Sequence, residues 1–140
     1  MVPVWANSYV GAPFLKHGRD PHGWDCWGVL FWCYRKHFGV RVPSFTSRYD
    51  CTDDSAQIAK VIAGEMMPWR KLERGERPRL GDGVLMRRGG DHSHVGLVIE
   101  PPRMLHVTSR IATQFQDYDG LVWGKRVVGI YRHEELDDAA

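Results

Sequence analysis

The chain has 140 residues, 43% of them hydrophobic and 26% charged, the make-up of one ordinary globular domain with a single core. A formal net charge of +2, with acids and bases interspersed, leaves no basic track for a nucleic acid, and no apolar run approaches the ~20 residues that span a bilayer. Three cysteines, at 26, 33 and 51, without a C-x-x-C pair, argue against a disulfide framework and a cysteine zinc site.

In chain order, residues 1–10 are expected to form a short amphipathic helix with Trp5 and Tyr9 one turn apart. No basic stretch followed by a long apolar run opens the chain, so no signal peptide is expected. Punctuated by glycine and proline, "GAPFLKHGRDPHG" (11–23) reads as a loop. From Asp25 to Phe38 the chain is apolar nearly all round and stops at Gly39, which predicts a buried helix capped by Asp25. A second helix is predicted over 51–66, capped by Thr52 or Asp53 and carrying Ile58, Val61 and Ile62 on one face. "RGERPRLGDGVLM" supplies a polar lead-in, a Gly-Asp-Gly turn and a strand. "HVGLVIE" (94–100), "RMLHVTS" (103–109), "IATQFQDY" (111–118) and "KRVVGIYR" (125–132) then predict an antiparallel meander. Helices first and strands after predict one α+β domain over 1–140, with 132–140 as a frayed tail.

Cys26 would occupy the first position of the helix that Asp25 caps. There the helix dipole and unpaired N–H groups favour a thiolate, and the same N–H groups can hold an oxyanion. Cys33 falls in mid-helix and reads as core, and Cys51 also reads as structural. A nucleophilic cysteine needs a base. His17 and His22 read as solvated loop residues, His133 as tail, and His37 as a ring at a helix C-terminus. That leaves His94 and His106, separated by an even number of residues across the Pro101-Pro102 turn. An even separation is expected to place them directly opposite on one face of an antiparallel pair, a base and its orienting imidazole. His92 reads as a loop residue flanking them. The alternative takes Asp91, His92, His94 and His106 as a carboxylate–imidazole metal cluster. No helical H-x-x-x-H supports it, and neither a metal nor another cofactor is expected.

Three segments resemble the NlpC/P60 family of papain-like cysteine peptidases, which cut peptidoglycan stem peptides. "YVGAPFLKHGRDPHGWDCWGVL" is similar to the family's loop and nucleophile helix. "RLGDGVLM" is similar to its Gly-Asp turn into the sheet, and "HSHVGLVIEPPRMLHVTS" to the two strands that carry its histidines. The resemblance implies a helix packed on an antiparallel sheet, with Cys26 as nucleophile, His94 as general base and His106 as orienting residue. It implies cleavage between D-glutamate or D-isoglutamine and the diamino acid of a stem peptide. Trp27, where many secreted members carry serine, is similar to members in phage tails and gene transfer agents. The resemblance thus implies a cytoplasmically made protein incorporated into a tail-like particle beside other tail proteins. Tyr9, Phe14, Asp25, Trp27 and His92 form the expected substrate side, with Trp24 and Trp27 shaping a groove. Phe14 departs from the family, which often carries a tyrosine there near the oxyanion site; Tyr9 offers another hydroxyl.

Overall fold

The computed structural model describes residues 2–44, 68–88 and 91–137, and of residues 88 and 91–93 the backbone alone. The predicted helix over 51–66 and Cys51 lie outside the described residues. An N-terminal turn of helix, α1 (Val4–Asn7), is shorter than the sequence predicts, and the turns that follow it lead to Gly11 at positive φ. The loop that follows contains a two-stranded hairpin, β1 (Arg19–Asp20) and β2 (Gly23–Trp24), with Arg19 paired to Trp24.

Helix α2 (Cys26–Cys33) runs on as a π-helical turn over Tyr34–Phe38 and stops at Gly39 in the left-handed region, φ +67°. This matches the predicted start and stop. Asp25 caps it, and the helix is buried nearly all round, as its uniform apolar sequence dictates.

Six strands form one antiparallel sheet among the described residues: β3 (Trp69–Lys71), β4 (Gly83–Arg88), β5 (Asp91–Glu100), β6 (Arg103–Thr108), β7 (Ile111–Asp117) and β8 (Val127–His133). Their order is β3-β8-β4-β5-β6-β7. The meander predicted from sequence therefore holds for β4 to β7, and β8 departs from it by returning to lie between β3 and β4. The expected frayed tail is corrected over 132–137. Arg132 is buried in β8 and meets both Asp82 carboxylate oxygens at 2.9 Å, and a helical turn follows over Glu134–Asp137. His133 is likewise buried rather than solvated.

Strand alternation divides the sheet into two faces. Odd-numbered Val95, Leu97, Ile99, Leu105 and Val107 join Cys26, Val29, Leu30 and Cys33 of α2 in the main core. On the other face Val98 and Met104 pack with Val84, Met86, Tyr118 and Trp123. The helix is thus held against β5 and β6, whose even-numbered His94 and His106 lie on the Trp123 side of these strands.

Candidate active site

The dipeptide Asp25-Cys26 sits where three short segments meet. Asp25 is fully buried. Its Oδ1 accepts from the Gly28 N–H at 2.9 Å, the N-cap bond, and from Arg19 Nη1 at 2.8 Å. Its Oδ2 accepts from the His17 N–H at 3.0 Å. Arg19 also reaches the Ser44 carbonyl, at 2.6 and 3.0 Å. Asp25 therefore supports the helix start from beneath and offers no surface to a substrate, contrary to its expected place on the substrate side. Gly28 has its own local reason: a Cβ there would lie 2.2 Å from the Gly18 carbonyl oxygen. The hairpin before the nucleophile can rest on α2 only if that position carries no side chain. Cys26, at the first helical position and 7% exposed, lies in a turn whose N–H groups have no intrahelical carbonyl to meet.

His94 and His106 come together as predicted, by a different register. Glu100 pairs with Arg103 across the Pro101-Pro102 turn. Continued regularly, that pairing would set Leu97 opposite His106 and turn the two histidines to opposite faces. A one-residue β-bulge between Val98 and Glu100 shifts the register so that Leu97 meets Leu105. His94 and His106 then share a face as diagonal rather than direct neighbours, a spacing that aromatic rings can bridge. His94 Nε2 and His106 Nδ1 are 2.9 Å apart, and both residues are almost wholly buried. Burial holds the His106 ring below the ordinary histidine range, against an opposing pull from its bond to Gln116. His94 thus spends Nε2 on His106, and Nδ1 is its other ring nitrogen.

Two residues not singled out in the sequence complete this cluster. Gln116 Oε1 lies 2.8 Å from His106 Nε2 and 2.8 Å from Trp123 Nε1. Trp123 stacks on His94 at 5.1 Å and stands edge-on to His106 at 5.3 Å. The available signal for Gln116 is its even separation from His106 across a tight β6–β7 turn. Nothing local marks Trp123, which reaches the site from the loop after β7. With both nitrogens of His106 engaged by His94 and Gln116, that ring has no lone pair to give an ion, which weighs against the metal-cluster alternative; the side chains of Asp91 and His92 are outside the description.

Tyr9 is buried, with its hydroxyl accepting from Trp32 Nε1 at 3.0 Å and bonded to His37 Nε2 at 2.6 Å, under a Trp5 ring stacked on His37 at 3.9 Å. With Trp32 and His37 both bonded to it, the Tyr9 hydroxyl does not replace the one that Phe14 lacks. Phe14 is half-buried and its backbone bridges Trp24. Trp24 is fully buried, with its N–H on Thr113 Oγ1 at 2.6 Å, so it is core and not a groove wall. Trp27 is also in the core, its N–H donated to the Pro43 carbonyl at 2.8 Å. The His92 backbone belongs to β5, paired with Arg87, rather than to a loop. Cys33 is fully buried, and burial pushes its thiol up to about 12.

This chain is similar to known proteins along nearly its whole length. A "Probable endopeptidase" of Haemophilus influenzae is 22% identical over 127 residues, 89% of this chain and 68% of that one. "Protein P54" of Enterococcus faecium is 27% identical over 64 residues, 46% of this chain and 12% of that one. Among solved structures, a lipoprotein-like NLP/P60 family protein of Staphylococcus aureus superposes with a TM-score of 0.63 at 22% identity, over 91% of this chain and 38% of that one. RipD of Mycobacterium tuberculosis, described as a non-catalytic NlpC/p60 domain protein adapted to peptidoglycan binding, superposes with a TM-score of 0.53 at 19% identity, over 90% of this chain and 88% of that one. The chain thus spans well under half the length of P54 and of the staphylococcal protein. The model of the NlpC/P60 family matches residues 11–132, from the loop before the capped cysteine to the buried arginine of β8, and the chain belongs to that family.

Proposed function

We propose that this protein is a cysteine peptidase or amidase that hydrolyses peptidoglycan stem peptides, at the bond between D-glutamate and the diamino acid. The observation that carries the reading is the buried His94–His106 pair, in which His94 Nε2 meets His106, on strands packed against the helix that Cys26 opens. His94 takes the Cys26 proton and the thiolate attacks the amide carbonyl. The oxyanion is held by the Cys26 N–H at the helix tip. As the C–N bond breaks, the imidazolium returns its proton to the leaving amine. Water, deprotonated by His94, then cleaves the thioester and frees the carboxylate and the thiol.

The test is digestion of purified peptidoglycan, with the released fragments identified by mass spectrometry. New amino termini on the diamino acid are expected with the wild type and none with Cys26→Ala. Equal release by Cys26→Ala would contradict the proposal. A second reading, a wall-binding domain without turnover, is favoured by Phe14, which removes a hydroxyl donor that Tyr9 does not restore. Binding to insoluble peptidoglycan without fragment release would select it. Incorporation into a phage-tail-like particle is a finer proposal that rests on the Asp25-Cys26-Trp27 resemblance. Co-purification with tail proteins tests it.

A further inference from the structure

We propose that Gln116 and Trp123 are positioning residues that set the proton arrangement of both imidazoles, so that His94 presents a lone pair at Nδ1. The inference rests on the reading of His94 as the base. An indole N–H can only donate, so the Gln116 atom 2.8 Å from Trp123 Nε1 is the carbonyl oxygen. The same oxygen lies 2.8 Å from His106 Nε2. Two donors therefore converge on one acceptor, and His106 carries its proton on Nε2. A neutral His106 then has only a lone pair at Nδ1. The 2.9 Å contact with His94 Nε2 consequently requires the shared proton to belong to His94. His94 is left with its lone pair on Nδ1, the form that accepts a thiol proton. Burial of His106 favours the neutral ring on which this chain of assignments depends.

Trp123 serves twice. Its N–H fixes which end of the Gln116 amide faces His106. Its ring stacks on His94 (24°) and stands edge-on to His106 (88°), bracing two imidazoles whose own planes lie 64° apart. Were the Gln116 oxygen removed, His106 would be free to carry its proton on Nδ1 and donate it to His94 Nε2. The proton of His94 would then sit on Nδ1, where an N–H cannot act as a base.

The experiment is long-range 1H–15N correlation of the histidine rings at about pH 8, above the ordinary histidine pKa of ~6.5. The spectra are taken in a Cys26→Ser background, where no thiol can pass its proton to His94, and there both His94 and His106 are expected as the Nε2–H tautomer. Gln116→Leu is expected to move both rings toward Nδ1–H. With Cys26 intact, Gln116→Leu should also slow Cys26 alkylation about 10-fold or more, the scale known for outer hydrogen-bond partners of metal-bound histidines. Trp123→Phe keeps the ring but frees the amide to turn, and should give a mixture of tautomers. Leu121→Ala, on the exposed part of the same loop, should change neither ring. His94 protonated on Nδ1 with Cys26→Ser alone, or tautomers that Gln116→Leu leaves unchanged in that background, would overturn the proposal; should Gln116→Leu fail to fold, the Cys26→Ser spectra with and without Trp123→Phe decide. The spectra need no turnover. Expected tautomers without wall cleavage would therefore sink the peptidase reading alone, and cleavage with the wrong tautomers would sink the relay alone.

Discussion

Gly28 shows how much of this site is decided by one missing atom. Its hydrogen lets the Gly18 carbonyl approach the first turn of α2, and a methyl group would meet backbone rather than a flexible side chain. Backbone cannot swing aside, so Gly28→Ala is expected at the upper end of overpacking costs, about 3 kcal/mol, in urea unfolding. An unchanged midpoint would mean that the hairpin does not rest on the helix. The same residue explains a spacing visible in the sequence: Asp-Cys-x-Gly puts the cap, the nucleophile and the contact with the hairpin on one helical turn. The cap, the cysteine and the His94–His106 pair were legible because each rests on local rules of helix ends and strand parity. The roles of Trp24, Trp27 and Tyr9 were not. All three are held by hydrogen bonds to residues distant in the chain, and composition does not report such partners.

Among the elements, the β5–β6 hairpin brings the two histidines together by a route that parity alone does not foresee. The two-residue Pro101-Pro102 turn and an even spacing of the histidines are incompatible in a regular ladder, and the extra residue Ile99 reconciles them. Ile99 itself is buried in the core on the α2 side, which gives the bulge a packing partner. A single sequence marks neither the bulge nor the return of β8 between β3 and β4, since both depend on long-range pairing. The β7 strand plays a comparable part for the loop before the nucleophile. Thr113 exchanges backbone bonds with Gly11 and Ala12, donates its hydroxyl to the Ala12 carbonyl and accepts from buried Trp24. Thr113→Val keeps the shape and strands the indole N–H, so a loss of about 1–3 kcal/mol in unfolding free energy is expected. A neutral result would show that the indole finds another acceptor.

At the scale of the whole molecule, burial of imidazoles sets the pH response. His37, His106 and His133 are each held below the ordinary histidine range by desolvation. Their unfolded rings take up protons first on acidification, so the stability these groups contribute is present above ~6.5 and is lost as pH falls through that value. Glu76 acts in the same direction at lower pH. Its hydrogen bonds to Arg70 and charge pairs with Arg70 and Arg132 hold its carboxyl at about 2, so its contribution fades only below the ordinary carboxylate range. The urea midpoint is therefore expected to fall steadily between about pH 7.5 and about pH 5.5. A midpoint that rises on acidification would contradict the buried, neutral state of these rings.

Activation of Cys26 by His94 is read most directly from the rate of Cys26 alkylation against pH in the wild type and in His94→Ala. Cys51 would be replaced by serine in both. Cys33 is silent in the folded protein, since burial raises its thiol to about 12. A reactive thiolate is expected to persist well below the free-thiol value of ~8.5 in the wild type, with an ordinary thiol titration once His94 is gone. A wild-type profile that titrates like a free thiol, or one that His94→Ala leaves unchanged, would contradict this activation.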